Sequence, residues 1–260
     1  MADYIFIRKS RNVLSSFLHV IMNILLGVGS ILVTIISGSW ILGILLVFLS
    51  KWRIFAVRPR FWFLNIKSNL VDIIVGSSFV LIAFFAGTEI LPVHFILAAF
   101  YTAWLIFIKP LSNEVGTIIQ SICAIFFGTT ATVIATSSLN SVALILVEFI
   151  IGYGASRHLF VQKSDKNFSY LSIICGFFCA EISWLASTWS IIYTFGASGI
   201  IIPQLALILA VSAFSFIKIF YSISRHDGKL KFSEILAPTL FGLVTLGIII
   251  FGFSNPIFNI

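Results

Sequence analysis

Apolar runs of about 20 residues, the length that crosses a hydrocarbon core of about 30 Å as a helix, recur along the whole chain. They predict helices over residues 13–36, 39–57, 68–87, 91–108, 115–136, 140–156, 168–195, 199–222 and 233–253. The runs are continuous, whereas the strands of a membrane β-barrel alternate apolar and polar positions. The expectation is therefore an all-α, polytopic transmembrane bundle of nine spans, one integral membrane domain over residues 1–260 with no soluble domain. Run 39–57 is the weakest of the nine, because its uncharged part stops at Ser50. It crosses only if the helix continues past Lys51 and Arg53 with both side chains snorkelling to the headgroups. Otherwise it is a re-entrant segment.

Composition agrees with this pattern. Hydrophobic residues make up 60% of the chain and charged residues 10%, against about 25% charged in a soluble domain. A soluble globular protein and a disordered one are both excluded. Arg8, Lys9 and Arg11 precede the first run like the n-region of a signal peptide. That run is longer than a signal h-region and no A-x-A-like site follows it, so it reads as an uncleaved first span.

The positions of the charges predict an orientation. All 16 Lys and Arg residues fall in or within about one turn of every other connection: the N-terminal tail and residues 51–67, 109–114, 157–167 and 223–232. The intervening connections carry none. By the positive-inside rule the N-terminus is cytoplasmic and the C-terminus outside. The net charge of +7 points to anionic phospholipid headgroups rather than nucleic acid, because the basic residues sit between hydrophobic spans.

The connection 51–67 interleaves basic and aromatic residues: Lys51, Arg53, Arg58, Arg60 and Lys67 among Trp52, Phe55, Phe61, Trp62 and Phe63. Aromatic rings favour the interface, and each cation near an anionic leaflet adds about 1 kcal/mol of attraction. These five cations are expected to contact lipid headgroups or a protein partner. The strings Lys51-Trp52-Arg53 and Phe55-Ala56-Val57-Arg58-Pro59-Arg60, with the terminal Ser254-Asn255-Pro256-Ile257-Phe258-Asn259-Ile260, resemble a family of polytopic membrane proteins from small-genome, host-dependent candidate-phylum bacteria such as the Saccharibacteria. The resemblance implies a polytopic inner-membrane protein in a monoderm-like cell and no activity.

Ionisable residues inside spans are costly, which makes them functional candidates. Glu148 lies eight residues past Asn140, about 12 Å below the outer surface, and Glu181 lies 13 residues past Phe168, about 20 Å up from the inner one. The depths nearly coincide in a core of about 30 Å. On adjacent antiparallel helices the two carboxyls could share a proton or hold a cation; the alternative is that each is a local structural hydrogen bonder. Asp72, four residues inside its span, is expected to form an interfacial ion pair with Lys67 or the basic loop. His19 and Asn23 suggest a polar interhelical contact, Gln120 and Gln204 helix–helix hydrogen bonds, and His94 a wetted outer end.

No catalytic motif is present. Gly196-Ala197-Ser198-Gly199 looks like the GxSG of rhomboid proteases, but a serine nucleophile needs a base and His226 belongs to the opposite connection. There is no HExxH or Walker A pattern, and no cofactor or metal is expected. Cys123, Cys175 and Cys179 lack CxxC spacing and read as small buried hydrophobes. Pairs such as Gly152/Ser156 read as close-packing sites. Residues 70–76 and 146–152 share an acid and a glycine at the same offsets, on helices running in opposite directions, as an inverted repeat requires. The functional expectation is proton- or cation-linked transport of a small solute. The alternative is a non-catalytic scaffold or subunit whose basic loop docks lipid or a partner.

Overall fold

The computed structural model describes residues 2–87, 91–136, 141–162, 168–189, 191–195, 200–226 and 229–252. Among them the chain is almost wholly helical: α1 (Ala2–Ser37), α2 (Trp40–Leu49), α3 (Trp62–Ser68), α4 (Leu70–Phe85), α5 (Leu91–Ala103), α6 (Glu114–Thr136), α7 (Ser141–Gln162), α8 (Phe168–Ala186), α9 (Gln204–Arg225) and α10 (Phe232–Gly247). Five-residue π-helical turns extend α5 over Trp104–Ile108 and α10 over Ile248–Gly252.

Six helices among the described residues are long and apolar enough to cross a membrane, in α1, α6, α7, α8, α9 and α10, and a bent pair through α4 would make a seventh. This is the architecture of a multi-pass membrane protein, with a smaller set of full-length spans than the nine predicted. The expected helix over 39–57 stops at Leu49, and ten residues rise only about 15 Å. Beyond it come short 3₁₀ turns at Trp52–Ile54 and Pro59–Phe61, because Pro59 has no amide hydrogen to continue a helical ladder. Before α4 the chain bends by 70°. Asn69 Nδ2 takes the carbonyl of Asn65 at 2.9 Å, and Ser68 Oγ takes that of Leu64 at 3.0 Å. Side-chain bonds of this kind compete with helix continuation.

A second difference lies between α8 and α9, where helix was expected up to Phe195 and again from Gly199. Instead β1 (Ile192–Phe195) and β2 (Ile200–Pro203) pair antiparallel, Ile192 opposite Pro203 and Phe195 opposite Ile200. Both segments are rich in β-branched and aromatic residues, which suit a pleated surface. The rhomboid-like string 196–199 lies outside the described residues.

The helices pack through glycines and small side chains. α2 runs antiparallel along α4: a Cβ on Gly43 would meet Val80, and one on Gly76 would meet Val47. Gly38, at φ +60°, makes the tight α1–α2 reversal in the left-handed region open to glycine. α7 and α8 approach so closely that a Cβ on Gly176 would lie 2.9 Å from the Phe149 carbonyl oxygen, and one on Gly152 2.6 Å from Cys179 Sγ. α6 is the most enclosed candidate span, packed against α4, α7 and α9, and α10 the least. One apolar cluster runs through the bundle and includes Ile31, Val75, Phe79, Tyr101, Trp104, Ile151 and Leu205.

Most interior hydroxyls are satisfied within their own helix. Thr34, Ser78, Thr132 and Ser183 each donate to the carbonyl four residues back, at 2.6–2.8 Å. Among the described residues, the ion pairs and most side-chain hydrogen bonds between helices lie at the end of the bundle that carries the basic connections.

Candidate functional site

The basic connections meet one another at that end. Lys51, just past α2, pairs with Oδ2 of Asp72 in the first turn of α4, and Lys109 reaches the same oxygen at 3.2 Å. The expected ion pair at Asp72 therefore forms, with Lys51 of the basic loop and, in addition, with Lys109 of the next basic connection. The three side chains are only 10%, 17% and 33% exposed for Lys51, Asp72 and Lys109. Lys51 consequently turns inward instead of snorkelling to headgroups. The connection 109–114 is also tied to the other two basic segments: Gln162 Nε2 donates to the Ser112 carbonyl, and Arg225 pairs with Glu114 at 3.1 Å. Glu234 takes His226 at 3.0 Å and Lys231 at 3.4 Å.

Gln120 organises the centre of this end. The π turn closes Lys109 N on Trp104 O at 2.8 Å, and the carbonyls of Ile108, Lys109 and Leu111 converge on Gln120 Nε2 at 2.7, 3.2 and 2.9 Å. The amide nitrogen is thereby committed, and its oxygen faces His158 Nε2 at 2.6 Å. An amide oxygen only accepts, so Nε2 carries the hydrogen. Gln120 thus acts as a helix–helix bonder, as its position suggested. Gln204 does the same at the other end, donating to the Ile249 carbonyl at 2.7 Å and accepting from Ile191 N at 3.2 Å.

Beside Gln120 opens a cleft of about 390 Å³. Lys67, Lys109, Arg157 and His158 line it together with Ser112 and Gln162, and among the described residues no Asp or Glu does. Lys67 Nζ lies over the rings of Phe63 and Tyr153, 4.3 and 5.9 Å from their centroids. The Arg157 guanidinium lies 5.1 Å from the centre of Phe168. Sequence reasoning singled out Lys67 but missed Lys109, Arg157 and His158 as members of one group. Their signal was the histidine and arginine side by side at the end of a span, opposite the intramembrane Gln120.

The other basic residues of the connector project outward. Arg53, Arg58 and Arg60 are exposed, as are Trp52, Phe55, Phe61, Trp62 and Phe63. Arg60 sits 4.6 Å above the Phe61 ring, and Trp62 Nε1 donates to Val57 O at 2.9 Å. The connector thus presents exposed cations and rings side by side.

The structure separates the two glutamates that were expected to share a site. Glu148 is fully buried, and Thr129 Oγ1 of α6 donates to its Oε2 at 2.9 Å. Glu181 is exposed on the outside of α8. The reason is angular. α8 faces α7 with Ser172, Gly176, Cys179 and Ser183, and Glu181 is two residues, about 200°, from Cys179. Equal depth placed the acids at one level but could not place them on facing sides. Nor do Asp72 and Glu148 play equivalent parts in the two copies of the short repeat, the first being an ion-pair acceptor near the helix start and the second an interior hydrogen bonder.

Two smaller expectations are also corrected. His94 is buried, its Nε2 3.0 Å from the Ala83 carbonyl, rather than wetted. Asn23 Nδ2 bonds to His19 Nδ1 within α1 at 3.2 Å, a contact inside one helix rather than between two. An apolar cavity of about 240 Å³ between α6, α7, α8 and α9, lined by Phe160, Phe178 and Phe216 among others, does not include Glu148 or Glu181. Among the described residues no group of three or more His, Cys, Asp and Glu is placed to hold a metal.

No protein-family model, curated protein or solved structure matches the chain. The fold and the basic end define a helical multi-pass membrane protein, and the functional reading rests on its own geometry.

Proposed function

We propose that this protein is a non-catalytic scaffold or subunit of a bacterial cytoplasmic membrane, seated on the anionic leaflet through the connector 51–67. The observation that carries the reading is the joint exposure of Arg53, Arg58 and Arg60 with Trp52, Phe55, Phe61, Trp62 and Phe63. Rings at headgroup level and cations against anionic lipid are complementary to an interface, not to bulk water. In this reading the chain crosses nine times, with the basic end cytoplasmic and the C-terminus outside. The mutual contacts of the basic connections support a single basic end, and the return of Lys51 to Asp72 at that end is what supports counting α2, short as it is, as a crossing. Proton- or cation-linked transport draws no support from Glu148 and Glu181, which point in different directions.

The test uses the full chain in neutral detergent, with brominated phosphatidylglycerol or brominated phosphatidylcholine quenching the tryptophans. The expected result is quenching at a lower mole fraction of the anionic lipid. Replacing Arg53, Arg58 and Arg60 with Ala should reduce that preference, each charge being worth about 1 kcal/mol. Equal quenching by both lipids in the wild type, or an unchanged preference in the triple variant, overturns the proposal.

A further inference from the structure

We propose that the cleft between α3, the end of the α5 π turn, α6 and α7 is a binding site for a phosphate group, held by Lys67, Lys109 and Arg157. This goes beyond the connector's attachment to the leaflet, since only Lys67 belongs to both surfaces.

Three observations carry it. The first is charge. Lys67, Lys109 and Arg157 line the cleft, and among the described residues no carboxylate does. Among the described residues the neighbouring acid, Asp72, is already shared by Lys51 and Lys109. Among the described residues four cations, Lys51, Lys67, Lys109 and Arg157, thus stand against one carboxylate in a partly buried place, an arrangement that a bound anion completes. The second is preorganisation. The Lys67 and Arg157 side chains rest on the rings of Phe63, Tyr153 and Phe168, which limits their freedom before a ligand arrives. Gln120 occupies the carbonyls of Ile108, Lys109 and Leu111, so these acceptors are already engaged rather than left to oppose an anion. The third is size and composition. The volume of about 390 Å³ falls within the range of small-ligand pockets, roughly 300–1,000 Å³. Ser112 and Gln162 add polar groups to the wall, and Arg supplies the planar fork that matches phosphate oxygens.

A phosphate group reaches this end of the bundle either on a lipid headgroup or on a soluble phosphate compound. The experiment measures thermal stabilisation of the full chain in neutral detergent by dihexanoyl phosphatidic acid, inorganic phosphate and, as a zwitterionic control, dihexanoyl phosphatidylcholine. Phosphatidic acid is expected to raise the melting temperature in a saturable way, and phosphatidylcholine is not. If inorganic phosphate stabilises over the same concentration range, the site takes free phosphate. If only the lipid does, the headgroup phosphate is the ligand. Arg157→Gln should weaken the half-saturating concentration about tenfold or more, as loss of a charge-assisted hydrogen bond does. Lys67→Gln should weaken it in the same direction and serves as the second variant if Arg157→Gln does not fold. Arg157→Lys should recover part of the affinity. Arg58→Ala with Arg60→Ala, on the connector, should leave it unchanged, and this separates the cleft from the leaflet-docking surface. No stabilisation by either phosphate probe, wild-type affinity in both cleft variants, or an equal loss in the connector variant overturns the proposal.

Discussion

Replacing Asp72 with Ala removes the one carboxylate that answers two ammonium groups. Lys51 and Lys109 both reach Oδ2 of Asp72, the second at 3.2 Å, and the Lys51 side chain is only 10% exposed. With the acid gone, two like charges remain close together without a counter-charge at the junction of α2, α4 and the α5 π turn. Breaking a buried pair by removing one partner costs about 3–5 kcal/mol, most of it from the charge left behind. Lys51→Met is expected to cost much less, about 1 kcal/mol, because Asp72 keeps Lys109, which is a third exposed and still partly screened. The double variant Asp72→Ala/Lys51→Met should recover most of the loss of the single Asp72→Ala, since replacing a buried pair by apolar groups is often neutral. Reversible unfolding in mixed detergent micelles, followed by circular dichroism, measures all three. A loss under about 1 kcal/mol for Asp72→Ala would show that Lys51 reaches water once released, and the reasoning would fail. A double variant as unstable as the single one would refute the pairing itself.

Two further outcomes follow from the interior and from the charge pattern. Glu148→Gln should stay within about 1 kcal/mol of wild type, because a Gln oxygen still accepts from Thr129; Glu148→Leu should lose about 1 kcal/mol more, and a larger loss for Gln than for Leu in the same unfolding assay would contradict the local hydrogen-bond role. In right-side-out and inverted vesicles, a cysteine at Arg58 should react with an impermeant maleimide only from the cytoplasmic side and one at Thr188 only from the outside. Labelling of both from one side would remove the nine-span orientation.

Much of the basic end was legible in the sequence, and particular residues show where legibility stopped. Asp72 announced an ion pair by its place near a span end, yet its partners come from 21 residues before it and 37 after it, a choice made by how α2 and α5 pack on α4. Gln120 announced an interhelical bond, but nothing local to it foretold a π turn whose freed carbonyls it would cap. Lys67, Lys109 and Arg157 each looked like an ordinary positive-inside residue. Their convergence on one cleft is a property of three chain segments meeting. Glu148 and Glu181 mark the opposite case. Rise per residue fixes depth well, whereas the direction a side chain faces turns 100° per residue. A depth argument is therefore insensitive to the error that mattered.

The sequence by itself determined the solvent this chain lives in, the helical class and the segregation of its charge. Those follow from long apolar runs and from the placement of Lys and Arg, both of which act locally on insertion. Only the tertiary structure decided where helices are cut short, that 192–203 pairs as strands, and which polar groups meet. Helix ends and strand pairs are settled by competition between local hydrogen bonds and packing, as at Asn69 and Pro59. In an apolar medium the pattern of burial no longer distinguishes one helix face from another. The facing of Ser172, Gly176 and Cys179 toward α7, with Glu181 left outside, was set by how closely small residues let the two backbones approach.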